Sequence, residues 1–450
     1  MSTPVTPDTA EHGTALKRVI TGPLLFFFIV GDTLGAGIYS LVGTMAADVG
    51  GVLWLPLIIA LVVALLTAGT YAELITKYPH AGGAARYAER AYKKPYVTFI
   101  VGFLMCASGI TTAASLANAF AGDYLSALVD VPAIPVAIAF IAALTLINLR
   151  GVKESLGTNV GASLIEVTGL VIVIIAAAMV VAAGTGDPSR VFQFNPEVPP
   201  VQGAFAASII AFFSFLGFEA AANIAEEVKD PSRVYPRALF AALGTAAVIY
   251  LLIALGAAVV LPMDELAGST GPLLAVVSAS PIAVPDWLFA IIALIAIANG
   301  ALLFMVMASR VAYGLAESGL LPSAFGRVLP RRRTPWVSIL VVGGVTAALT
   351  LVGDIGLLAE TTVLLLILVF ISANISVLVL KKDKVDHKHF SIPRVFPVLA
   401  TLASLVLLTQ QSMGAWIGAI GYAVIGTVLY LIARATRKGR PAELTENVNG

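Results

Sequence analysis

The chain has 450 residues, of which 59% are hydrophobic and 12% charged. A soluble domain carries roughly twice that charged fraction, so this composition describes a polytopic membrane protein. A formal net charge of +1 provides no long-range field for nucleic acid, and a lone cysteine, Cys106, excludes an intramolecular disulfide and any Cys/His metal spacing.

Residues 1–17 are polar and lack the succession of charge, apolar run and small-residue cleavage site that marks a signal peptide. They read as a disordered cytoplasmic N-terminus, with insertion left to the first span. Apolar runs separated by charged or Pro/Gly-rich breaks then predict twelve spans. These lie near 19–43, 52–75, 97–128, 132–149, 159–184, 203–228, 236–261, 286–316, 336–353, 357–380, 395–410 and 413–434. Residues 18–436 thus form one all-α transmembrane domain, followed by a tail, 437–450. Alternating the spans places 26 of the 27 Lys and Arg residues on one side and only Arg190 on the other. The positive-inside rule therefore predicts that both termini are cytoplasmic.

The first span carries GDTLGAGIYS (31–40), an aspartate and three glycines within an otherwise apolar run. Irregular backbone at membrane depth survives only where protein surrounds it or it lines a cavity. Gly31, Gly35 and Gly37 make unwinding cheap. An unwound segment frees N–H groups at the positive end of the second half-helix, which suits a small anion such as a carboxylate. The competing reading is close helix packing through small residues. Between spans two and three, Arg86, Tyr87, Arg90, Ala91 and Lys94 fall at helical spacing and predict a short interfacial helix.

Span five holds Glu166 within NVGASLIEVTGLVIVI, and span six holds Gly217 mid-run with Glu219 two residues on. A charge at such depth costs about 2.5–3.5 kcal/mol unless it meets a partner or water. Interrupted spans in corresponding positions of two halves point to a transporter's binding site. Glu226 and Glu227, at the exit of span six near Lys229 and Arg233, read as helix-end or gate salt bridges. No HExxH, GxSxG or Walker pattern occurs, and His12, His80, His387 and His389 all fall in loops; neither an enzyme nor a cofactor site is expected.

Four stretches in order resemble the amino acid–polyamine–organocation (APC) transporters. They are GDTLGAGIYSLVG, AELITKYPHAGGAARYAERAY (72–92), FSFLGFEAAANIAEEVKDPSRVYPRA (213–238) and ASRVAYGLAESGLLP (308–322). The first looks most like the cationic amino acid transporters. The resemblance implies a leucine-transporter-type fold of five helices plus five inverted ones. Repeat one covers about 18–184 and repeat two about 203–381, with two added helices at about 395–434 and breaks in helices one and six. It implies substrate at those breaks: Gly35, Ala36, Gly37 and Ile38 for the carboxylate, and carbonyls around Phe213, Ser214 and Leu216 for the amino group. Phe213 and Phe218 would be pocket or gate aromatics, and Glu219 matches a gating position whose competing role is a structural hydrogen bond.

Glu166 stands where many proton-coupled members of that family carry a lysine, and Asp32 stands where relatives commonly have a small or neutral residue. The resemblance puts both in the helix-one/helix-five region. Two such carboxylates favour a shared proton, or bind Na⁺ or a substrate amine, or are each capped by hydroxyls such as Thr33 or Thr168. Ile295, Ala296, Ile297, Ala298 and Asn299 in span eight lack the hydroxyls that sodium-coupled relatives supply, which weakens the sodium reading. Cys106, Ser108, Ile110, Ser214, Asn299 and Thr362 are the specificity candidates. The function implied is a multi-pass permease of the cytoplasmic membrane that moves an amino acid by alternating access, coupled to protons through Glu166 with Asp32 assisting. A neutral side chain is favoured. The alternatives are a cationic amino acid or polyamine transporter or exchanger and, more remotely, a non-transporting sensor. The expected partners are the amino acid, the proton and the lipid bilayer, without nucleic acid.

Overall fold

In the computed structural model, residues 20–79, 83–151 and 156–437 are described. The expected N-terminus 1–17, the tail from 438 onward and His80 lie outside them, as do the side chains of Ala36 and Glu226. The helices are α1 (Gly22–Thr33), α2 (Ala36–Val49), α3 (Trp54–Lys77), α4 (Gly83–Tyr92), α5 (Pro95–Phe120), α6 (Asp123–Ser126), α7 (Ala133–Arg150), α8 (Leu156–Ala183) and α9 (Pro200–Ser214). They continue with α10 (Pro231–Val260), α11 (Met263–Gly268), α12 (Pro272–Ser278), α13 (Asp286–Glu317), α14 (Trp336–Leu349), α15 (Ile355–Leu380), α16 (Val395–Thr409) and α17 (Met413–Arg437). Among the described residues the only β pairing is an isolated bridge between Ile20 and Val228.

Among the described residues eight helices are long and apolar enough to cross a membrane, α1 and α2 form one further pair bent by 41°, and α9, α14 and α16 are shorter apolar helices. Each apolar stretch read from the sequence other than the sixth coincides with one of these helices or with the bent pair. Helix starts follow from proline, whose missing N–H costs nothing in the first turn: Pro23, Pro95, Pro200, Pro231 and Pro272 occupy that position. Asp354 caps α15, its side chain accepting from the Leu357 N–H at 2.7 Å.

The bundle is built around α5. The most apolar window of α5 is 89% buried within the protein, against 17% for α17, so α5 is the axis and α17 meets lipid. The reason is local. Apolar attraction cannot drive helices together in lipid, and small residues that let backbones approach do so instead. The α5 run GFLMCASGITTAASLANA supplies them. A Cβ on Gly109 would come within 2.9 Å of the Phe304 carbonyl oxygen of α13. On α17, by contrast, Ile417, Ile420, Val424 and Leu431 are exposed, as lipid-facing positions require.

Two expectations change. Span six does not run helically to 228: α9 stops at Ser214, Gly217 takes φ +115°, and residues 220–227 wind as a tighter 3₁₀ turn. The helix expected at 86–94 forms as α4, but its apolar face is covered by α5 and α15, with Tyr87 and Ala88 buried, rather than turned to lipid.

The Lys/Arg-rich end of the bundle is closed by a polar network that ties the segment after α15 to the end of α3. Lys381 Nζ lies 2.6 Å from Glu73 Oε2 and donates to Ser391 Oγ and to the Ile392 carbonyl. Glu73 Oε2 also accepts from the Ile392 N–H at 2.8 Å, and Lys77 Nζ donates to the Leu380 carbonyl at 2.7 Å. Nearby, Asp383 Oδ2 accepts from the Tyr78 hydroxyl at 2.6 Å and from Arg90 Nε at 2.9 Å.

Candidate functional site

The chain interrupts two helices at one depth. The α1/α2 break falls at Leu34–Gly35, within the glycine-bearing decapeptide, and the α9 break falls at Phe215–Glu219. The two breaks touch. A Cβ on Gly217 would meet the Asp32 carbonyl oxygen at 2.7 Å, and a Cβ on Gly37 would meet Ser214 Cα at 2.9 Å. Both positions therefore exclude any side chain. Gly217 does so twice over, since its φ disfavours L-residues.

Between the breaks lies a cavity lined by Gly31, Asp32, Thr33, Gly35 and Gly37 from the first break and by Phe213, Ser214 and Leu216 from the second. Leu116, Glu166, Asn299, Gly300, Leu303 and Phe304 complete its wall. It offers the centre of a water molecule about 20 Å³, which holds about one water and no amino acid. The hollow is closed around that small space.

The chemistry of the lining is one-sided. Glu166 is fully buried; its Oε1 accepts from Asn299 Nδ2 at 3.1 Å, joining α8 to α13. Its Oε2, Thr33 Oγ1 and Ser214 Oγ are buried and have no hydrogen-bond partner among the described residues. Buried polar atoms left without partners cost about 1–3 kcal/mol each, and these three belong to residues that line the same cavity. The lining holds two carboxylates and no Lys, Arg or His.

The break geometry also calls on a residue that the sequence reading missed. Thr33 and Ser214 are the last residues of α1 and α9, and the terminal carbonyls of a helix lack intrahelical partners. The Tyr250 hydroxyl, reaching from α10, donates to both of these carbonyls, at 2.9 Å in the case of Ser214. A buried tyrosine in the run TAAVIYLLIAL must find a partner for its O–H. That requirement is the available signal, and it does not say which partner.

The predicted site residues separate into two groups. Gly35, Gly37, Phe213, Ser214, Leu216, Asn299, Asp32 and Glu166 meet at the cavity, whereas Ile38, Cys106, Ser108, Thr362 and Phe218 lie outside its lining. The Cys106 thiol donates to the Ala308 carbonyl, Ser108 to its own helix at Met105, and Thr362 to Thr111 across the α5–α15 contact. Phe218 stacks on Phe370 at 5.7 Å and meets Tyr71 edge-on at 5.9 Å. Glu219 accepts from the Gly217 N–H at 3.0 Å, which pins the turn of the second break. Thr168 does not cap Glu166: its hydroxyl donates to the Leu164 carbonyl one turn back in α8.

Comparison with known proteins extends this picture. A family model described as amino acid permease matches residues 22–433. An uncharacterized transporter of Mycobacterium tuberculosis is 30% identical over 419 residues, covering 91% of this chain and 90% of its own. The branched-chain amino acid permease of Bacillus subtilis is 25% identical over 445 residues, 93% of each chain. A vacuolar cationic amino acid transporter of Arabidopsis thaliana is 30% identical over 376 residues, 78% of this chain and 61% of its own.

Proposed function

The chain belongs to the amino acid permease family, and from that membership we propose that it is a secondary active transporter moving an amino acid by alternating access across the cytoplasmic membrane. Twelve spans form two inverted five-helix repeats, about 18–184 and 203–381, with α16 and α17 appended and both termini in the cytoplasm. The 26-to-1 distribution of Lys and Arg supports that orientation.

The observation that carries the reading is the meeting of two helix breaks around a buried hollow with unpaired oxygens on its wall. N–H groups at the start of α2, around Gly35, Ala36 and Gly37, bind the carboxylate. The carbonyl end of α9 and the orphan hydroxyls bind the ammonium, and Leu116, Leu216, Leu303 and Phe304 take an apolar side chain. A neutral amino acid is the first reading. A cationic substrate is the second, supported by two carboxylates on a lining without a cation.

Glu166 carries the coupling proton, with Asp32 assisting. The carboxylate Oε2 without a partner and the single amide bond at Oε1 support an exchangeable proton there. Uptake of radiolabelled amino acids and amines by proteoliposomes, with and without a pH gradient, tests the transport reading; no accumulation of any compound overturns it. Glu166→Gln is expected to abolish accumulation driven by the pH gradient while leaving substrate binding measurable. Unchanged pH-driven accumulation overturns the coupling assignment.

A further inference from the structure

One hydroxyl serves two helix ends, and it does so at the proposed ammonium site. Tyr250 is fully buried in α10, its ring edge-on to Phe215 at a centroid distance of 5.2 Å. Its O–H points at the terminal carbonyls of α1 and α9 together, Thr33 and Ser214. A hydroxyl has a single hydrogen, while each carbonyl offers two lone pairs. The shared bond therefore leaves acceptor capacity on both carbonyls, beside the partnerless hydroxyls of Thr33 and Ser214. A primary ammonium brings three N–H donors to the same place. The hollow, at about 20 Å³, has no room for an amino acid carrying that ammonium, so in this state Tyr250 is the donor that both helix ends share.

We propose that Tyr250 is a positioning residue that stands in for the substrate's ammonium when the carrier is empty, strapping the two broken helices together so that the unloaded protein can close and reorient. The inference rests on the binding site of the proposed function. With substrate present, the ammonium supplies the donors and the strap is dispensable. With the site empty, removing the hydroxyl leaves two buried carbonyls without a donor in the closed state, and passage through that state slows. Net uptake needs the empty carrier to return, whereas exchange returns it loaded. Tyr250 therefore governs the ratio of the two fluxes.

The test uses the full chain in liposomes, with the protein amino acids, each radiolabelled, as probes. Net uptake is measured into empty vesicles, and exchange into vesicles preloaded with the same unlabelled compound. Tyr250→Phe is expected to lower net uptake about tenfold, the factor that one buried hydrogen bond commands, to lower exchange by much less, and to leave equilibrium binding no weaker than in the unmodified chain. Equal falls in both fluxes, or weakened binding with an unchanged ratio, overturn the proposal: the first makes Tyr250 merely structural and the second makes it a ligand contact. Failure of both Tyr250→Phe and Tyr250→Leu to fold also assigns a structural role and overturns it. Gly37→Val tests the underlying site independently, because its side chain would meet Ser214 Cα at 2.9 Å and the Phe213 ring at 3.3 Å. Binding that survives Gly37→Val overturns the site, whatever Tyr250→Phe does.

Discussion

Two buried polar regions of the molecule follow opposite rules. At the Lys/Arg-rich end Glu73, 1% exposed, meets Lys381 at 2.6 Å and a backbone N–H besides, and Lys381 fills its remaining donors on Ser391 and Ile392. At the central hollow Glu166 is just as buried, yet one of its oxygens and two neighbouring hydroxyls have no partner among the described residues. Burial makes a matched pair rigid and an unmatched acceptor costly. The first region thus holds a conformation, and the second gains free energy only when something arrives. The difference separates a fastening from the hollow proposed as the binding site.

Breaking the fastening has the largest expected effect on stability. Lys381→Ala leaves Glu73 as a buried charge without its counter-ion, which costs about 3–5 kcal/mol. A correspondingly large fall in the melting temperature of the detergent-solubilised protein checks it. The paired replacement Glu73→Gln with Lys381→Met should recover much of that loss, because charge and counter-charge leave together. A single variant that melts like the unmodified protein would show that this network does not hold the end closed.

The hollow should respond the other way. Thr33→Val keeps the shape and removes a hydroxyl that the folded chain leaves without a partner. The empty protein is expected to melt unchanged or higher, by at most about 1 kcal/mol of added stability. The apparent KM for uptake rises about fivefold to tenfold, because the donor-rich ligand loses an acceptor. A lower melting temperature with KM unchanged would make Thr33 part of the scaffold and erase the contrast between the two regions.

How much of this was legible in the sequence varies with the kind of signal. The first break was readable because three glycines and an aspartate interrupt an apolar run, and nothing in a lipid-facing helix needs them. That Asp32 and Glu166 line one cavity was not readable from periodicity; their nearness came from family resemblance. The 3₁₀ winding of 220–227 was hidden, since AAANIAEE favours an ordinary helix locally and Gly217 upstream decides otherwise. Ser108 was read as a specificity residue and Thr168 as a carboxylate cap, yet each bonds a carbonyl of the preceding turn, a use of short hydroxyls that sequence does not distinguish from either role. In helices apolar on every side, no hydrophobic stripe fixes the rotation. This is why Cys106 and Thr362 were placed at the hollow when Cys106 bonds a carbonyl of α13 and Thr362 a hydroxyl of α5.

The smallest expected effect lies at the rim of the fastening, where Asp383 is held below the ordinary carboxylate value of 3.8 by the Tyr78 hydroxyl and then by Arg90. A carboxylate whose pKa is depressed in the folded state stabilises fully above its unfolded value, and that contribution is lost as pH falls through the folded one. Asp383→Asn should therefore lower stability at pH 7, but only by about 0.5 kcal/mol, because the ion pair with Arg90 is open to water and screened. The gap between the variant and the unmodified protein should narrow as pH falls from the unfolded carboxyl's value towards the lower folded one, below which the native aspartate is protonated as well. Melting curves at neutral and acid pH read this directly. A gap that does not narrow at all as the pH is lowered through the acid range would mean that Tyr78 and Arg90 hold the end through shape and not through charge. The rim would then belong with the packed core, and the paired-charge rule would apply to Glu73 and Lys381 alone.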